Sequence, residues 1–315
     1  MHQQLQRQLD NARQRRHSLV QIRVLKTQGS SYRKSGARML IDELGQHYDI
    51  VSGGCIETHL ARQAMEIFRH GMPKILEYDF SDPDAPEWQI SVGCRGKVTL
   101  LLERLGPDNH YASLALYLEG RLRRQPSWLI TQITNGQSEL RDCQTPTDTD
   151  TVVEFIEPAP RLLLIGTGAD TDDIIELAQN LDYQVQVVGC QSLTLHRFQH
   201  RFPNLAQSVA PQQLDNYLVQ HPVDYAVVMT HNQSLDAAYL SQASLAQLAL
   251  VGMLGPLDRK HRVLDEMTSS APVHLAAPMG LSLGGHGSQA VALSVMSQVQ
   301  AVHHHMQAQP LSRKH

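Results

Sequence analysis

The apolar run Leu162-Leu163-Leu164-Ile165, followed at once by Gly166-Thr167-Gly168 and then a helical pattern, constrains the fold more than any other stretch. Four consecutive apolar residues before a glycine turn read as a strand buried on both faces. The same alternation recurs downstream. Strands are expected at 161–165, 183–188, 224–230, 248–252 and 273–276, and helices at 169–181, 211–220, 234–247, 257–268 and 288–305. Parallel strands need crossover connections, and those helices must cover both faces of the sheet. The expectation is therefore α/β, with a doubly wound parallel sheet in a C-terminal domain over residues 158–308.

A GxG turn between strand and helix is the context of a dinucleotide-binding fold, which makes this a Rossmann-like domain with Gly166 and Gly168 as candidate ligand contacts. Two features oppose NAD(P). The third small position is Thr171, and the second strand ends Val187-Val188-Gly189-Cys190-Gln191, without an acid for the ribose or an arginine for a 2′-phosphate. The favoured reading is a scaffold that does not use a dinucleotide. His231 falls at the carboxyl end of a central strand, where ligands of open α/β sheets bind, and is a candidate contact or acid/base.

The first half reads differently. Residues 3–17 are Gln- and Arg-rich, with Leu5, Leu9 and Ala12 on one helical side. A strand is expected at 18–26, then a polar loop over 27–36, then strands at 37–41 and 46–51. Ser52-Gly53-Gly54-Cys55 turns into a helix carrying Ile56, Leu60, Ala64, Ile67 and Phe68 at helical spacing, closed by His70-Gly71. The glycines allow a tight turn. A thiol in the first turn of a helix ionises more easily than a free one. Further strands are expected at 74–80 and 97–104, and Asn135-Gly136 predicts a hairpin. This mixed α/β N-terminal domain is placed at residues 1–150, with a Pro- and Thr-rich boundary over 143–160.

Composition sets the outer limits. A formal net charge of −4 argues against a general nucleic-acid binder. The apolar runs are strand-sized and the first residues are polar, so no membrane span or secretory signal is expected and a cytoplasmic location is. The four cysteines, at 55, 94, 143 and 190, form no CxxC pair, which argues against structural zinc and a disulfide framework. Residues 29–38 carry Ser30, Ser31, Arg33, Lys34 and Arg38 between Gly29 and Gly36, a set of anion donors that does not match a P-loop.

These residues together resemble the XdhC/CoxI family, accessory factors for xanthine dehydrogenase and related molybdenum hydroxylases. Gly29 to Met39 is similar to the family's GSSPRxxGARM, with Tyr32 in place of Pro. Ser52 to Glu57 is similar to SGGCxE, and Gly93 to Val98 resembles GCGGxV, with Arg95 in place of Gly. Thr230-His231-Asn232 resembles TH(D/N). Gly252 to Gly255 with Arg259-Lys260 resembles GLLGS and its basic pair, with Pro256 in place of Ser. Pro278 to Gly284 resembles PxGLxxG.

The resemblance implies a chaperone that binds the molybdenum cofactor (molybdopterin), supports its sulfuration and inserts it into an apo-molybdoenzyme of the xanthine dehydrogenase type. It also implies a cysteine desulfurase as a further partner, and a homodimer. The alternatives are an NAD(P)-dependent oxidoreductase, a molybdopterin-modifying transferase, or a structural adaptor in which the cysteines are dispensable. Cofactor contacts are then expected at Ser30, Ser31, Arg33, Arg38, Gly53, Gly54, Cys55, Glu57, Cys94, Gly166, Gly168 and His231. Cys55 and Cys94 are the candidate soft ligands of molybdenum. Glu57 is open between a pterin contact and a helix-capping role.

Overall fold

The computed structural model describes residues 2–29, 33–52, 56–80, 96–144, 150–190, 192–202 and 205–309. It forms two compact units, Met1–Ala159 and Pro160–His315.

The first unit is built on a five-stranded antiparallel sheet in the order β3-β2-β1-β5-β4. Its strands are β1 (Leu19–Gly29), β2 (Arg38–Asp42), β3 (His47–Tyr48), β4 (Lys74–Asp79) and β5 (Gly96–Leu105). Alternation along β1 explains the layering. Val20, Ile22 and Val24 face α2 (Glu57–His70) and pack with Ile56, Leu60, Ala64 and Ile67. Leu19 joins the opposite core, with Leu5, Leu9 and Ala12 of α1 (His2–Arg15) and Leu114 and Leu118 of α3 (Ala112–Leu122). The expected side of α1 is thus the buried one. Gly71, at φ 73°, ends α2 where the sequence placed its cap.

Two expectations for this unit need correction. Residues 27–29, read as loop from their polar composition, continue β1 and pair with Lys97, Val98 and Gly96 of β5 beyond a bulge near Leu25. Ladder pairing satisfies their backbone whatever the side chains are. Residues 151–156, read as part of the linker, form β8 (Thr151–Ile156), which pairs with β6 (Ser127–Gln132) beside β7 (Ser138–Arg141). The β6–β7 hairpin is present, but only Gly136 of the Asn-Gly pair takes a positive φ, so the turn is not the two-residue primed type.

The second unit holds a six-stranded parallel sheet in the order β11-β10-β9-β12-β13-β14. These strands are β9 (Arg161–Ile165), β10 (Gln184–Gly189), β11 (Ala206–Ser208), β12 (Tyr225–Val228), β13 (Leu250–Met253) and β14 (Leu275–Ala276). Counted from β9 the order is 3-2-1-4-5-6, the doubly wound arrangement, and its direction reverses between β9 and β12. One face packs against α4 (Thr171–Asn180) and α9 (Ser288–His303) through Ile174, Ile175, Val295 and Met296. The other meets α6 (Leu214–Gln220), α7 (Gln233–Leu240) and α8 (Leu257–Glu266) through Leu218, Leu240 and Val263. The sequence reading missed α5 (Ser192–Arg201) and the short β11. Among the described residues no helix is long and apolar enough to cross a membrane.

Candidate functional site

In the first unit, one arginine joins two of the sequence-predicted pieces. Arg33 donates from Nη2 to Asp49 Oδ1 (2.6 Å) and from Nε to the Ile50 carbonyl (3.2 Å). Asp49 sits at φ 63° and also accepts from the Ile50 amide. The basic segment is therefore pinned to the residues that lead into Ser52. Ser52 in turn donates from its amide and hydroxyl to Glu57, at 2.9 and 2.6 Å. Both carboxylate oxygens of Glu57 thus hold together the residues on either side of 53–55. Glu57 is buried there, and its observed work is local bracing. Ser30, Ser31, Gly53, Gly54, Cys55 and Cys94 lie outside the described residues.

The segment Arg33–Ala37 lines a pocket of about 530 Å³ together with Tyr117, Arg121 and Glu154 to Glu157. That volume suits a small-molecule ligand. Arg38 stands beneath this segment rather than in the opening. It is 1% exposed, donates to Glu154 through both terminal nitrogens (2.8 and 2.6 Å), and holds the Gly36 carbonyl at 2.8 Å. Its guanidinium carbon lies 3.4 Å from the centre of the Tyr117 ring. Arg23 also reaches Glu154 (3.2 Å), and binds Thr131 (2.9 Å), with its Nε 2.8 Å from Glu103. Burial pushes the Glu154 carboxyl up, but the charges of Arg38 and Arg23 and their hydrogen bonds more than offset this and hold it below the usual range. Glu154, the pocket residue that organises this network, carries no local signal in the sequence.

In the second unit, Gly166, Gly168 and His231 converge at the point where the strand order reverses. Gly166 has φ 141°, and a Cβ there would lie 2.4 Å from the Met229 carbonyl oxygen. His231, at φ 57°, approaches Asp170 with Nε2 3.1 Å from Oδ1. This pair covers Gly168, where a Cβ would meet Asp170 Oδ1 at 2.6 Å and His231 Nε2 at 2.9 Å. In a dinucleotide fold the second glycine leaves room for the pyrophosphate. Here side chains take that room, one of them a carboxylate that repels phosphate. Thr171, the departure at the third small position, is buried with its hydroxyl 3.9 Å from Met229 Sδ. With no acid after β10, these residues do not fit NAD(P).

Behind His231, the fully buried Asp236 accepts from the Thr230 amide (3.1 Å) and hydroxyl (2.6 Å) and from Arg259 (2.6 Å). Arg259 therefore braces the turn that carries His231. Among the described residues, no group of three or more His, Cys, Asp and Glu side chains is placed to hold a metal ion.

Together these features define a two-unit α/β protein with a basic, pocket-facing segment in its first unit and a doubly wound second unit whose glycine loop is closed by a side-chain pair. A family model for the XdhC Rossmann domain matches residues 162–299, and one for the XdhC and CoxI family matches residues 12–79. The chain belongs to the XdhC and CoxI family. Its relatives include a probable xanthine dehydrogenase subunit of Bacillus subtilis (strain 168), 26% identical, the match covering 92% of this chain and 95% of that one. Another is the molybdenum cofactor insertion chaperone PaoD of Escherichia coli (strain K12), 24% identical over 91% of this chain and 84% of its own. A crystal structure described as a xanthine dehydrogenase from Bacillus halodurans superposes with a TM-score of 0.75 at 23% identity, covering 97% of this chain and 98% of that one, and shares the fold.

Proposed function

We propose that this protein carries the molybdenum cofactor as cargo, supports its sulfuration with a cysteine desulfurase as sulfur source, and inserts it into a xanthine dehydrogenase-type apo-enzyme. The observation that carries this reading is the Arg33 bridge. It ties the basic segment lining the 530 Å³ pocket to the residues that precede Gly53-Gly54-Cys55 in the chain. The names of the two relatives support the same direction.

In this reading Arg33 and Lys34 meet the cofactor's phosphate, with hydroxyls from Ser30 and Ser31. Cys55 and Cys94 supply the soft donors suited to a molybdenum centre. Arg38 and Glu57 are positioning residues. Arg38 shapes the segment from below through Glu154 and the Gly36 carbonyl, and Glu57 braces Ser52, across residues 53–55 in sequence. The closed glycine loop disfavours an oxidoreductase that uses NAD(P).

Retention on desalting tests the proposal, with molybdopterin, NAD(H) and NADP(H) each supplied separately. Wild type is expected to retain the pterin and neither nicotinamide. Cys55→Ala is expected to fold with an unchanged melting curve and to lose retention by about tenfold or more, the scale of a lost strong ligand contact. Wild-type retention by that variant would remove Cys55 from the site. Retention of a nicotinamide alone would overturn the chaperone reading.

A further inference from the structure

A second basic cleft lies in the first unit, formed by other residues and used by nothing described above. It measures about 450 Å³ and is lined by Arg13, Gln14, Arg16, Pro107, His110 and Tyr111. From this cleft we infer that the protein has a binding site for a phosphate monoester or a similar small oxyanion, between the end of α1 and the turn before α3.

The backbone supplies the first argument. The His17 amide donates to the Ala12 carbonyl (3.0 Å) and the Arg16 amide to the Arg13 carbonyl (3.3 Å). These are the two bonds of a Schellman ending, and they place Arg16 at the left-handed position with φ 57°. Glycine is the favoured residue there, and it is the residue found at the end of α2. Here the position carries a guanidinium instead. His110 and Tyr111 follow the same pattern, both at φ 55°. Of the seven non-glycine residues with positive φ among those described, three line this one cleft. Strain of this kind gathers at ligand sites.

The second argument is the division of labour among the side chains. Tyr111 sets the shape, its hydroxyl lying 3.0 Å from the Ala12 carbonyl and 2.8 Å from that of His17. Asn109 ties the turn by accepting from the amides of Gly106 and Tyr111. Arg13, Arg16 and His110 contribute no side-chain bond to this scaffold and form no ion pair among the described residues. The two acids whose charge reaches Tyr111 are engaged elsewhere, Asp108 with Arg104 at 2.8 Å and Glu43 with the Ser18 amide at 2.9 Å. Two guanidinium forks on one helix end, an amide from Gln14 and an imidazole from the facing turn surround an oxyanion from two sides.

Calorimetric titration of the full chain with inorganic phosphate at constant ionic strength tests the assignment. Wild type is expected to show saturable binding. Arg13→Gln with Arg16→Gln should weaken it at least about tenfold, the scale of one lost charge-assisted bond, while Arg7→Gln on the same helix leaves it unchanged. Arg16→Gly is the decisive variant. It should raise Tm by about 2–4 °C, because glycine suits the left-handed position, and still weaken phosphate about fivefold or more. No saturable binding in wild type would overturn the site. So would full phosphate affinity in the double variant, or a loss caused by Lys34→Gln with none from Arg13→Gln, which would move the phosphate to the other pocket.

Discussion

Glu154→Ala is expected to destabilise the first unit by about 3–5 kcal/mol, because it leaves two buried guanidiniums, Arg38 and Arg23, without their shared carboxylate. For a unit of this size that is a fall in Tm of roughly 6–20 °C, read by chemical or thermal denaturation. Glu154→Gln keeps the shape and one polar contact to each arginine, so its loss should be smaller. The two variants also separate in acid. Because the folded-state pKa of Glu154 is held below the ordinary value, its stabilisation is complete above the usual glutamate range, near about pH 4.3, and is lost as pH falls through the depressed value. The stability gap between wild type and Glu154→Gln should therefore narrow as pH drops below about 4. A gap independent of pH would mean that the charge of Glu154 does not stabilise the fold. A melting curve for Glu154→Ala that matches wild type would mean the arginines find other partners.

The second large effect is expected at Gly166→Ala. Its φ of 141° is unsuited to any L side chain, and the added Cβ would lie 2.4 Å from the Met229 oxygen and 2.7 Å from its carbonyl carbon. Both are backbone atoms of the turn after β12, so no side chain can swing away. Strain and overpacking together predict a loss of about 3 kcal/mol or more. Gly168→Ala provides the contrast. The atoms its Cβ would meet belong to Asp170 and His231, which can move apart, so the fold should survive while that pair separates. Equal destabilisation by the two substitutions would contradict this distinction. It is read most simply from two urea unfolding curves.

The second unit was legible in the sequence because its strands are buried on both faces. Leu162 to Ile165 and Ala226 to Val228 read as unbroken apolar runs, and the intervening helices follow from strand spacing. Residues 192–201 escaped notice because the stretch is rich in His and Arg, although Leu195 and Phe198 are buried. In the first unit the strands through Gln21, Arg23 and Glu103 match the sequence reading, whereas 27–29 and 151–156 look like loop and linker from their composition. Gln21, Arg23 and Glu103 lie inside and bond one another and Ser113, and Arg23 gains a second carboxylate from Glu154 on a distant strand. A local pattern carries no trace of a partner 131 residues away.

The same distance divides the predicted site. Arg33 and Glu57 stand out from short motifs, and the residues that position them are near in sequence: Asp49, Ile50 and Ser52. Arg38 belongs to the same motif, yet its charge is committed inward, and nothing short-range distinguishes it from Arg33. Asp170 immediately precedes the helix that follows the glycine loop. Its pairing with His231 required the sheet to bring residues 61 positions apart together.

The position of β8 has a practical consequence for anyone dividing the gene. A fragment ending at residue 150 would shed Glu154 together with the outer strand of the β7-β6-β8 sheet, stranding Arg38 and removing one wall of the 530 Å³ pocket. A fragment ending at Ala159 retains them all. Cleavage just beyond that residue, and not in the threonine-rich stretch before it, is where an autonomous front half can be sought.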